Sequence, residues 1–150
     1  MRAFEDFTEG LEFALGPHPV DRAEGLAFAA EFDPQPFHLD ENAAEANLLG
    51  GLSVSGWHTC AMMMRMMCDS YLLNSTSQGS PGIDYVRWLA PVRPGDTLSG
   101  TARVASARLS AKRPTLGIAT LETRLVNQTG ATVLESRYAL LLLTRQGAAA

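Results

Sequence analysis

Between Gly56 and about Leu73 the chain carries the run Cys60-Ala61-Met62-Met63-Met64-Arg65-Met66-Met67-Cys68. Apolar residues fall almost all the way round a helix drawn through it, and such a helix is stable only when covered on most sides. Its five methionines suit the irregular interior of a core, although a Met-rich stretch also suits an adaptable binding groove. Ser53 or Ser55 stands where a cap is needed. The chain that follows is strand-like: Ile83 to Ala90, Leu98 to Leu109, Leu116 to Val126 and Thr132 to Thr144. Pro91-Val92-Arg93-Pro94-Gly95-Asp96 reads as a turn-rich loop, and Asn127-Gln128-Thr129-Gly130 as a hairpin turn. One apolar helix followed by several long antiparallel strands is an α+β pattern. A curved sheet wrapped around the helix is the arrangement that buries it. With 150 residues the chain is long enough for one domain, 1–150, with a sizeable core.

Upstream, Asp21-Arg22-Ala23-Glu24 has the form of a capping box. It predicts a helix to about Phe32 with Leu26, Ala27 and Ala30 on the buried side. Pro34 stops it, because a residue before proline is pushed out of the helical region. Asp40 to Ala46 reads as a second, short helix ended by Gly50-Gly51.

The formal net charge of −4 provides no basic surface for nucleic acid and no attraction to an anionic membrane. Met1 to Asp6 lacks the apolar segment of a secretory signal, and no apolar run approaches the roughly 18 residues that span a bilayer. Cys60 and Cys68 on one helix stand about 12 Å apart along its axis, too far for a disulfide. Two buried free thiols in a reducing cytoplasm are the expectation. His18, His38 and His58 are scattered and no Cys-x-x-Cys or His-x-x-x-His spacing occurs, so no metal site is expected.

The chemistry concentrates in Phe32-Asp33-Pro34-Gln35-Pro36-Phe37-His38. Here a carboxylate and an imidazole lie five residues apart on a segment stiffened by two prolines. An acid and a base held this way can share one water. Adding water to an α,β-unsaturated thioester requires a base for the water, an acid for the α carbon and a fixed donor for the charge that builds on the thioester oxygen. Asp33 and His38 can supply the first two. A backbone N–H at the start of the central helix can supply the third, and Gly56 lets a ligand approach closely. Each piece has a plainer reading. Asp-Pro is common in turns, a core histidine is satisfied by a carbonyl, and Trp57 and His58 read as packing residues. Arg87 reads as a solvated charge or as a contact for a phosphate.

The segment Phe28 to Asp40 resembles the hydratase motif of the MaoC-like dehydratases, which include (R)-specific enoyl-CoA hydratases. Asp33, Pro36, Phe37 and His38 match that motif in order and spacing. Gly50-Gly51-Leu52-Ser53-Val54-Ser55-Gly56-Trp57-His58-Thr59 is similar to the family's entry into its central helix. Val86 to Leu98 is similar to its return to the sheet, and Asn127 to Gly130 recurs too. The resemblance spans nearly the whole chain. It implies a hotdog fold, a homodimer or a higher assembly of dimers with joined sheets, and sites near the subunit interface. It also implies an acyl-CoA substrate, with coenzyme A as part of the substrate and no other cofactor. Carried over, Asp33 and His38 activate water and the Gly56 amide polarises the thioester carbonyl. Gln35, Ser55 and Trp57 are expected among the substrate-binding residues. Gln35 replaces the motif's usual Asn, and Ser55 stands where many members have His. Two alternatives stay open: a hotdog acyl-CoA thioesterase, and a non-catalytic acyl-CoA-binding or assembly subunit.

Overall fold

A computed structural model describes residues 1–150. Five strands form one antiparallel sheet: β1 (Glu12–Pro19), β2 (Ile83–Trp88), β3 (Thr97–Leu109), β4 (Leu116–Val126) and β5 (Thr132–Leu143), in the order β1-β3-β4-β5-β2. Four helices accompany it: α1 (Arg22–Phe32), α2 (Glu41–Glu45), α3 (Gly56–Met67) and α4 (Arg145–Ala148). The sheet wraps α3, and this is the hotdog fold.

Side-chain alternation sets which face of the sheet meets the helix. Along β4, Ala119, Leu121 and Leu125 are buried, and along β5, Leu134, Tyr138, Leu140 and Leu142. They close over Met62, Met63, Met66 and Met67 of α3. The methionines are therefore core filler along that side of the helix. The opposite face carries charge in cross-strand register, with Arg103 opposite Glu122 and Arg124 opposite Glu135.

Four expectations are corrected. The central helix ends as an α-helix at Met67, and the next turn, Cys68–Leu72, widens into a π-helix whose Leu73 N–H reaches the Cys68 carbonyl. Widening carries Tyr71 to a buried hydroxyl contact with Tyr138 at 2.7 Å. The helix is also not covered on most sides, since Trp57 (60% exposed) and Met64 (47%) lie open. In α1 the buried residues are Gly25 and Ala29, not Leu26, Ala27 and Ala30. The helix turns its smallest residues inward, and a Cβ on Gly25 would come within 2.7 Å of Val54. Finally, β1 has no counterpart among the expected strands. Only Phe13 and Leu15 alternate inward before Gly16-Pro17 shifts the register against β3. Edge strands tolerate such a break.

Other expectations hold. Asp21 caps α1 through the Glu24 N–H, and the short second helix forms, with Asp40 as its cap rather than its first residue. The turn at Asn127–Gly130 closes β4 onto β5. Cys60 and Cys68 are free thiols as expected, but their expected burial is a fifth correction: both are half-buried, with burial pushing Cys60 up from its ordinary pKa. No helix is long and apolar enough to cross a membrane.

Candidate active site

Three pieces of chain converge on one cleft of about 390 Å³. The first is the end of α1, where Asp33 is the C-cap and Pro34 prevents another turn. The second is the single 3-10 turn Pro36–His38, which brings His38 back beside Asp33. The third is the start of α3.

The His38 Nδ1 donates to the Ser53 carbonyl at 2.8 Å. A carbonyl only accepts, so Nδ1 carries the proton in the neutral ring and Nε2 presents a lone pair. That Nε2 lies 3.4 Å from Asp33 Oδ2. The carboxylate is held from behind: the Ser55 hydroxyl donates to Oδ2 at 2.7 Å and the Gln35 amide to Oδ1 at 2.7 Å. Ser55's hydroxyl, then Gln35 and His38, keep the Asp33 carboxyl below its ordinary pKa against the opposing push of partial burial.

Ser55 is also the N-cap of α3, accepting the Trp57 N–H at 3.2 Å. A helix leaves its first N–H groups without intrahelical partners. With Trp57's satisfied by the cap, the Gly56 N–H retains no protein acceptor. Gly56 lines the cleft together with Asp33 and His38. One volume is thus lined by a carboxylate held in its charged form, an imidazole and the glycine that starts a helix. These are the parts that handle a water and a developing oxyanion.

Of the residues expected to bind substrate, Trp57 lines the cleft. Gln35 and Ser55 are instead placed behind the Asp33 carboxylate, where they orient it. His58 does not face the cleft: it stacks on Phe28 (4.9 Å, 15°) and joins α1 to α3. Arg87 lies 4.5 Å over the Tyr85 ring. Reading the sequence missed the far wall, formed by Trp88 to Val92 with Leu49, Val54 and Thr59. The available signal was the turn-rich Pro91–Asp96 loop directly after an edge strand.

The fold is that of a hotdog protein, and its similarities lie with hydratases and dehydratases. The model of the MaoC like domain matches residues 10–126, and the chain belongs to that family. A MaoC-like dehydratase from Rhodospirillum rubrum is similar over 97% of this chain and 99% of its own, at 39% identity and a TM-score of 0.90. The (R)-hydratase from A. caviae involved in PHA biosynthesis is 26% identical, with a TM-score of 0.66 over 88% of this chain and 94% of its own. The uncharacterized protein YdeM of Bacillus subtilis (strain 168) is 28% identical over 138 residues, 92% of this chain and 96% of that one.

Proposed function

We propose that this protein reversibly hydrates a trans-2-enoyl-CoA to the 3-hydroxyacyl-CoA. The feature that supports the reading is the presence in one cleft of Asp33 and His38, 3.4 Å apart, and of Gly56, whose N–H has no protein acceptor. In this scheme a water lies between Asp33 Oδ2 and His38 Nε2. Its oxygen bonds to the β carbon while one proton passes to His38 Nε2. The electron pair of the double bond moves toward the thioester oxygen, which the Gly56 N–H stabilises. The imidazolium, paired with the Asp33 carboxylate, then returns the proton to the α carbon. Every proton taken from water ends on the product, so no redox partner is needed. A depressed Asp33 pKa suits this role, because the carboxylate must stay charged beside the imidazolium.

We also infer that the working unit is a dimer formed along β2. That strand is one of the two edges of the sheet, and its helix-side residues Ile83 (58% exposed) and Trp88 (44%) continue the open face of Trp57 and Met64. An unpaired edge beside an apolar patch invites a second copy in self-complementary fashion. Sedimentation equilibrium at twice the 16.1 kDa chain mass is the expected result.

The decisive assay follows enone absorbance with short, long and branched enoyl-CoAs, with a thiol reagent run in parallel. Asp33→Asn and His38→Gln should each lower kcat by about 10²- to 10⁴-fold. Thiol release with the double bond intact would reassign the protein to thioester hydrolysis. Enone absorbance that stays constant with every enoyl-CoA tested, or variants as active as the wild type, would refute the reading.

A further inference from the structure

Gly56 is asked to hold a hydrogen-bond donor still, yet glycine is the residue with the greatest backbone freedom. An oxyanion donor works only if it is already aimed at the place where charge develops. Ser55 restrains the helix start from one side through the Trp57 N–H. The restraint on the other side comes from the sheet.

Trp88 is the last residue of β2 and pairs with Leu134 of β5, an interior strand of the sheet. Its Nε1–H donates to the Gly56 carbonyl at 2.9 Å. Its ring occupies the space a side chain on Gly56 would need: an ideal Cβ there would lie 2.8 Å from both Cε2 and Nε1 and 3.1 Å from Cδ2. The same indole meets the Trp57 ring edge-on, with centroids 5.1 Å apart at 78°. One side chain thus contacts Gly56 at its carbonyl and at its missing Cβ, and the next residue at its ring.

We infer that Trp88 is a positioning residue for the hydration reaction: its indole stands in for the side chain Gly56 lacks and ties the amide donor to the edge of the sheet. The inference rests on the hydration reading above. It gives Gly56 two separate reasons to be glycine, access for the thioester and room for the indole. It also makes β2, the strand on which we place the dimer contact, part of the support of the site.

Trp88 lines the cleft as well, so a pure substrate-contact role has to be distinguished. An oxyanion donor acts in the transition state, so loosening it lowers kcat, whereas losing a substrate contact raises KM. Two replacements separate the N–H from the ring. Trp88→Phe keeps an aromatic ring. Benzothienylalanine introduced at position 88 keeps the whole bicycle and puts sulfur in place of the N–H, so folding is preserved even if W88F fails to fold.

Either variant is expected to lower kcat about tenfold, part of the 10²- to 10³-fold that removing a donor costs, with KM within about twofold. In the ligand-free protein the Gly56 amide order parameter from ¹⁵N relaxation should fall. A raised KM with unchanged kcat, or unchanged kcat and unchanged Gly56 order, would overturn the inference while leaving wild-type hydration intact. A wild type that hydrates none of the enoyl-CoA panel would remove the hydration reading and this inference with it.

Discussion

Replacing Ser55 by alanine removes one hydroxyl with two duties, and the two are separable. As N-cap it accepts the Trp57 N–H, and losing such a cap costs about 1 kcal/mol. As donor it bonds the charged Asp33 Oδ2 at 2.7 Å, and a hydrogen bond to a charged group contributes about 1.5–3 kcal/mol. Asp33 keeps a 16% exposed side chain at the cleft, where water screens the interaction, so the lower end, about 1.5 kcal/mol, applies. The sum, about 2.5 kcal/mol at pH 7, should appear in urea unfolding as a lower midpoint with unchanged m. In an Asp33→Ala background the same Ser55→Ala change should cost only the cap, about 1 kcal/mol. The difference is the coupling between hydroxyl and carboxylate. The pH dependence carries a sign of its own. Asp33 is lowered in the fold, so its contribution is full above the unfolded pKa near 3.9 and is lost as pH falls through the folded value. The cost of Ser55→Ala should therefore shrink toward the cap value in acid. A coupling below about 0.3 kcal/mol, the scatter expected of independent sites, or a cost equal at pH 7 and in acid, would refute the two-duty account.

Three further outcomes follow from packing. Gly100→Ala drives a Cβ into the Arg124 carbonyl on β4, backbone that cannot swing aside, so a loss on the order of 3 kcal/mol is expected in urea unfolding. Tyr138→Phe leaves the buried Tyr71 hydroxyl unpaired and should cost about 1–3 kcal/mol, while adding Tyr71→Phe should cost little more or recover part of the loss. Burial lowers the pKa of His58, whose Nδ1 has no partner. Its neutral form is favoured in the fold, so stability should decline as pH falls below about 6.5, and His58→Gln should flatten that slope in urea unfolding.

What the sequence made legible was local. The Asp33–His38 pairing sits within six residues whose two prolines leave the backbone few options, and the Asp21 cap of α1 is signalled within three residues. The strand spans from β3 to β5 follow from alternation long enough to read. The unread features are those set by contacts remote in the chain. Ser55 and Asp33 are 22 residues apart and Trp88 and Gly56 are 32 apart, so no spacing rule connects them. The buried face of α1 went to Gly25 because close approach to Val54 outweighed the apolarity of Leu26. Apolar composition likewise marked α3 as central but not which of its faces the sheet would leave open.

The start of α3 ties stability to chemistry more tightly than either alone requires. Ser55 holds the helix start and the carboxylate with the same oxygen, and the glycine that follows packs its bare Cα against an indole from the sheet. Ser55, where the sequence departs from the motif it resembles, therefore keeps both bonds that organise the site. A serine hydroxyl can both donate to Asp33 and accept from Trp57, and a neutral imidazole divides those roles between two ring nitrogens that point apart. Substituting His at Ser55 should consequently strain the helix cap or the carboxylate. Ser55 is fully buried, so Ser55→His should destabilise this chain, read as a lower midpoint in urea unfolding.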